Sequence, residues 1–291
     1  SFAAAVFCVF LKGDVFMNAL EIKNLTKHYN GFTLDNISFS LPQGCILGLI
    51  GENGAGKSTT IRSILGSLKY DGDIKVLGKP ISADLKNRIG VVLDEVGFPD
   101  KLNVKDVNSI MKNMFTNWDN DAFLGYIKKF GLPDDKAFSE FSKGMKMKLG
   151  IAVALSHNAE LLILDEPTSG LDPLVRDEII DILNDFTRDD NHSILISSHI
   201  VSDLEKLCDY IAFLHKGKLM LCEEKDALLE QYVFINTSEE KLAELDENAV
   251  KGKRSSKWGA EAIVDRELIP DSFDTKPVTI EDLFIFMAKE D

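Results

Sequence analysis

The chain has 291 residues, 45% of them hydrophobic, enough for one large domain, with or without a small appendage, around a substantial core. Its formal net charge of −14 opposes the grip on a phosphate backbone that clustered Lys and Arg provide, so no nucleic-acid partner is expected. Cys8, Cys45, Cys208 and Cys222 show no CxxC pairing and no metal-ligand spacing with the five histidines, which suits a reducing compartment and gives no sign of a disulfide framework.

The longest apolar stretch, Phe2 to Leu11, is half of the roughly 20 residues that span a bilayer. It lacks a basic n-region and a cleavage site, and Met17 stands directly before an ordinary strand pattern. Residues 1–16 are therefore expected to be an added or upstream leader outside the fold. A short membrane-contacting helix is the weaker reading, because the segment has no charged face.

Leu20–Leu25 and Phe32–Leu41 read as strands around an Asn30-Gly31 turn, and Cys45–Ile50 as a buried strand. After a glycine-rich loop, Thr59–Leu68 has helical spacing. From about Val104 to Ser156 the pattern is helical, with Val107, Ile110, Met111 and Met114 forming one stripe and Phe123, Leu124 and Ile127 another, both read as core. Leu161–Leu164 is again a buried strand, Pro173 opens the helix Leu174–Phe186, and Ser193–Ser197 is the next strand. Tyr210–Leu214 and Leu219–Glu223 form a hairpin around Lys216-Gly217. After about Tyr232 charged residues crowd Glu239–Arg254, and the apolar run Leu283–Met287 predicts that the tail folds back onto the body. This alternation predicts an α/β fold with a mostly parallel sheet, a small antiparallel β subdomain and an inserted helical subdomain at about 97–156. The main domain is expected over 17–230, with a small accessory segment at 231–291.

Gly51-Glu52-Asn53-Gly54-Ala55-Gly56-Lys57-Ser58 matches the phosphate-loop pattern. Gly51, Gly54 and Gly56 let the backbone curl so that successive N–H groups point at a β-phosphate. Lys57 can reach the β and γ oxygens, the Ser58 hydroxyl can ligate Mg²⁺, and a helix beginning near Thr59 aims its positive end at the same anion. A flexible glycine loop is the bland alternative; strand before and helix after argue against it.

Leu161–Glu166 is an apolar strand ending in two carboxylates. Asp165 is placed to hold Mg²⁺, largely through water, and Glu166 to accept a proton from an attacking water, although an Asp-Glu pair also simply caps strands. Pro167-Thr168-Ser169-Gly170-Leu171-Asp172 follows at once, and Ser198-His199 closes the next strand, where a donor to the γ-phosphate would come. Phe141-Ser142-Lys143-Gly144-Met145 precedes a helix, with Ser142 as its N-cap.

Over roughly residues 20–225 the chain resembles the ATP-binding-cassette family, which implies a P-loop NTPase core and makes 17–230 a nucleotide-binding domain. Gly51–Ser58 looks like Walker A, Leu161–Glu166 like Walker B, Ser169–Asp172 like the D-loop, His199 like the switch histidine and Phe141–Met145 like the signature motif. The resemblance implies two cassettes packed head to tail, with each ATP between the P-loop of one and the signature of the other. Ser142, Gly144 and Met145 would then meet the γ-phosphate held by a partner, and Tyr29 would stack on adenine, although an aromatic there equally suits a core. Two positions depart from the signature pattern: Lys143 replaces its first glycine and Met145 its glutamine, a form similar to that of the bacterial drug, bacitracin and sodium exporter branch. Asp94 stands where the family usually has the Q-loop glutamine, and as a carboxylate it could ligand Mg²⁺ or the attacking water. Thr279–Phe284 also resembles the tail of that exporter branch.

The resemblance implies an ATP-hydrolysing exporter subunit that works with a transmembrane permease and a second nucleotide-binding subunit, either a copy or a paralogue, at the cytoplasmic face of the membrane. The alternative is an ATPase that remodels ribosomes or DNA-repair complexes, but no second cassette or long coiled-coil insertion is visible. A regulatory subunit that binds ATP without turnover is opposed by Glu166 and His199, and a GTPase by the lack of an NKxD motif.

Overall fold

The computed structural model describes residues 17–256 and 259–288. The expected leader at 1–16 lies outside the described residues. β1 (Asn18–Tyr29) and β2 (Phe32–Pro42) form the hairpin around Asn30-Gly31. β3 (Ile46–Ile50) and α1 (Lys57–Ile64) follow, then β4 (Asp71–Val76), which pairs with β1 to complete an antiparallel sheet in the order β2-β1-β4. The short α2 (Ala83–Lys86) leads into β5 (Ile89–Val92). Next come the inserted helices α3 (Val104–Met114), α4 (Asn120–Lys129) and α5 (Lys143–Leu155). The chain then alternates through β6 (Leu161–Asp165), α6 (Pro173–Phe186), β7 (Ser193–Ser198) and α7 (Val201–Leu207) to the hairpin β8 (Tyr210–His215) and β9 (Lys218–Glu224).

The main sheet runs β5-β6-β7-β3-β8-β9, parallel except for β9 at its edge. β3, β6 and β7 are buried along their whole length, as expected for parallel strands covered on both faces. Alternation divides β3 between two cores. Ile46 and Ile50 join the one shared with the inserted helices, α6 and α7, whereas Leu47 and Leu49 join the one shared with the antiparallel sheet and α1.

Two expectations need correction. The helix after the glycine loop starts at Lys57 and ends at Ile64, because Gly56, with φ +113°, already turns the chain as its N-cap. The inserted helices bury less of their apolar stripes than expected: Val107, Met111, Phe123 and Ile127 are core, but Ile110, Met114 and Leu124 are exposed. At 100° per residue, Ile110 and Met114 form a row beside Val107 and Met111, and no described element covers it.

α8 (Lys225–Gln231) leads to β10 (Tyr232–Thr237), α9 (Glu239–Ala243), β11 (Val250–Ser256), β12 (Gly259–Asp265), β13 (Thr275–Pro277) and α10 (Ile280–Met287). These strands pair antiparallel in the order β11-β12-β10-β13, around a small core that includes Val233, Ile235, Ala260, Ala262 and Val264. The tail does fold back: Leu283 and Phe286 of α10 are buried in the main core, and Phe284 meets Phe213 edge-on at 5.5 Å.

Candidate nucleotide site

Parallel pairing brings strand ends that are distant in sequence to one edge of the sheet. Ile50 lies opposite Ser198 and Asp165 opposite Ser197, so the loop after β3, the carboxylates after β6 and the histidine after β7 meet there. In the loop, Gly54 and Gly56 both have left-handed φ, +85° and +113°. Among the described residues, no protein group accepts from the backbone N–H groups of Gly54, Gly56, Lys57, Ser58 or Thr59. Five such donors beside a helix N-terminus make an anion cradle. Glu52, Asn53 and Gly54 are exposed, and Gly51 and Ala55 are buried behind them.

Lys57 is buried, and its Nζ donates to the Gly51 and Glu52 carbonyls at 2.6 and 3.4 Å. It also pairs with Glu166 Oε1 at 3.2 Å, while His199 Nδ1 lies 2.6 Å from Glu166 Oε2. Both oxygens of the predicted base are therefore engaged, one by the P-loop lysine and one by the predicted switch histidine. Glu166 itself has φ +53°, a conformation costing a non-glycine residue on the order of 1 kcal/mol. Ser197 supports it: the Glu166 N–H donates to the Ser197 carbonyl at 3.1 Å and to its Oγ at 3.2 Å. The same hydroxyl donates to Asp165 Oδ1 at 2.5 Å. Sequence reasoning missed Ser197, because a serine at a strand end carries no pattern of its own.

The residues fit an Mg²⁺ ion. Among the described residues the Ser58 hydroxyl makes no hydrogen bond, and Asp165 has one oxygen held by Ser197 and the other free to accept. No group of three or more His, Cys, Asp or Glu side chains gathers as a metal cage among the described residues.

The remaining predicted residues lie on other elements. Tyr29 ends β1, 44% exposed, its ring centroid 6.4 Å from that of Phe32 and 5.4 Å from Lys27 Nζ. Ser142 is the N-cap of α5, its Oγ accepting from the Met145 N–H at 3.2 Å, as expected. The Met145 side chain packs partly buried against the main core, and Gly144 lies beside Val175 of α6. Asp94 is exposed in the loop after β5, and its carboxylate faces Lys143 at 3.7 Å. A separate cavity of about 440 Å³, lined by Leu65, Ile89, Val91, Met114, Phe115 and His157, opens between the main sheet and the inserted helices. It contains none of the predicted site residues.

A parallel sheet presenting a phosphate loop, paired carboxylates and a histidine at one edge defines a P-loop ATPase. The ABC transporter family model matches residues 34–169. The chain is 38% identical over 211 residues to the lantibiotic transport ATP-binding protein SrtF of Streptococcus pyogenes, covering 71% of this chain and 91% of that protein. It is also 38% identical over 208 residues to the bacitracin transport ATP-binding protein BcrA of Bacillus licheniformis, covering 69% and 68%. A structure described as the ATP-binding subunit of an ABC transporter superposes with a TM-score of 0.67 at 27% identity, covering 73% of this chain and 92% of that one. This chain belongs to the ATP-binding-cassette family, as the ATP-binding and ATP-hydrolysing subunit of an ABC exporter. Among the described residues, no helix is long and apolar enough to cross a membrane.

Proposed function

We propose that the chain hydrolyses Mg²⁺–ATP at the Lys57–Glu166–His199 edge and closes head to tail on a second cassette, driving a separate permease at the cytoplasmic face of the membrane. The observation that carries this reading is the convergence of Lys57 and His199 on the two oxygens of Glu166. Residues 51–59 hold the phosphates, with Lys57 on the β and γ oxygens, and Tyr29 stacks on adenine. Ser58 and Asp165 hold Mg²⁺, which when bound neutralises charge on the phosphates. As Lys57 turns to the phosphates it leaves Glu166 Oε1, which is then free to take the proton of the attacking water as that water bonds to the γ-phosphorus and ADP departs. His199, already against Oε2, orients the carboxylate and can donate to the γ-phosphate.

Ser142, Gly144, Met145 and the positive end of α5 complete the site of the partner, so a symmetric pair closes two sites at once. The apolar cavity between the main sheet and the inserted helices, with exposed Met114 at its rim, is suited to an apolar segment of the permease. Cargo choice then rests with that permease; the names of SrtF and BcrA support antibacterial peptides as its class.

The test is sedimentation of Glu166→Gln with ATP and Mg²⁺, against the same protein carrying Ser142→Arg. The first should dimerise, and the second should stay monomeric while still binding ATP through Lys57. Equal dimerisation of both would remove the signature assignment. Failure of both would remove the homodimer and leave a paralogue or the permease as the closing partner.

A further inference from the structure

Two residues that depart from the family pattern, Asp94 and Lys143, meet in the structure. Lys143 Nζ lies 3.7 Å from Asp94 Oδ1, with both side chains about half exposed. Lys143 also lies over the Ser169–Asp172 turn, since a Cβ built on Gly170 would stand 3.3 Å from its Nζ and 3.8 Å from its Cδ. One side chain thus links three segments: it rises from the start of α5, pairs with the loop after β5 and lies beside the turn before α6. Its position works against helix stability, because Lys143 is the first residue of α5, where the positive end of the dipole disfavours a cation, and no acidic residue in the first turn offsets it. Asp94 supplies the missing negative charge from another element. Lys146 and Lys148 have other partners, the Phe138 ring and Glu178.

We propose that Asp94 and Lys143 are a pair of positioning residues, in which Asp94 acts through Lys143 to fix the start of α5 against the Ser169–Asp172 turn, and does not ligand metal or water. The inference rests on the reading that the start of α5 faces a partner's γ-phosphate. Holding the ammonium over Gly170 fixes Ser142 and Gly144 relative to α6, where Gly144 already approaches Val175. A half-exposed pair adds little to folding stability, so its consequence is the fraction of molecules with the turn aligned, a factor of about five at most.

The experiment is a double-mutant cycle on the full chain with Asp94→Asn, Lys143→Gln and the two combined, recording kcat and KM for ATP, melting temperature and salt dependence. Each single change should lower kcat about threefold to fivefold with KM and melting temperature unchanged, and the double change should be no worse than the poorer single. Raising salt to roughly 0.5 M should narrow the gap between wild type and the singles, because an exposed pair is screened. Multiplying effects would mean that the residues act separately, Asp94 on metal or water and Lys143 on phosphate, and would overturn the proposal; so would single variants with unchanged kcat. Ser142→Arg is assayed alongside. If it turns over normally, the signature reading falls and takes the pair's role with it, whereas an inactive Ser142→Arg with a multiplicative cycle removes only the pair.

Discussion

The main sheet and the C-terminal sheet are built on opposite plans. In the first, β3, β6 and β7 run parallel, are buried on both faces, and end together, so residues 57, 166 and 199 reach one edge from distant parts of the chain. In the second, β10 and β12 pair antiparallel, β10 alternates buried with less buried positions while β12 is buried throughout 262–265, and successive strands end at opposite edges. Chemistry that needs several loops at one point follows from the first plan, whereas the second supplies a surface and a core. They are joined by α10, which packs against α7 and the main core, and α7 begins two residues after His199.

The widest separation between the two regions should come from Glu166→Gln. Removing the proposed general base should lower turnover by about 10²–10⁴ with ATP binding retained. Val233→Ala, in the core of the C-terminal sheet, should leave kcat per folded molecule unchanged. Steady-state hydrolysis on both proteins, with nucleotide binding by fluorescence, makes the comparison; equal losses of turnover would end the division of labour.

Phe286→Ala should attack the join. Phe286 is 7% exposed, meets Phe234 edge-on at 5.9 Å and lies so close over Gly252 that a Cβ there would stand 2.8 Å from it. Its loss should cost about 3 kcal/mol in denaturant unfolding. If the sheet is linked to the site only by packing, the folded fraction keeps its KM for ATP. A changed KM would show that α10 transmits its position through α7 to His199.

How much of this was legible in the sequence follows the same division. The buried strands and the phosphate loop could be read because continuous apolar runs and a fixed glycine spacing leave little freedom. The C-terminal sheet read only as a charged segment, since its core on β12 is built from Ala260, Ala262 and Val264, and small residues give a weak hydrophobic pattern. Neither the Asp94–Lys143 approach nor the role of Ser197 could be read, because both are made by strand order and loop placement rather than by local spacing. Ser197→Ala tests the second of these. It removes one bond to Asp165 and one to the strained Glu166, at a cost of about 1 kcal/mol in stability, and should lower kcat more than it changes KM.

The smallest effect should come from the cysteines, and it bears on how dry the main sheet is. Burial first, then Asp209 and Glu224, pushes the Cys45 thiol up to about 11. Burial also pushes the fully enclosed Cys208 thiol far upward, and no disulfide joins Cys45, Cys208 and Cys222 among the described residues. A thiol at about 11 is ionised in roughly one molecule in 10⁴ at pH 7, and only the thiolate is alkylated. Native protein at pH 7 should therefore label slowly at Cys45, with a rate rising about tenfold per pH unit, and at Cys208 only through unfolding. The sign for stability follows. Both folded thiols hold their protons more tightly than the ordinary value of 9.0, so their contribution is complete below pH 9 and is lost as pH rises through the folded values. Mass-spectrometric labelling against pH, beside melting temperature from pH 7 to 11, should show flat stability to about pH 9 and a decline above it. Fast labelling of Cys208 in folded protein at pH 7 would mean that water reaches α7 from the sheet side, and the main sheet would not be the dry interior that its buried strands describe.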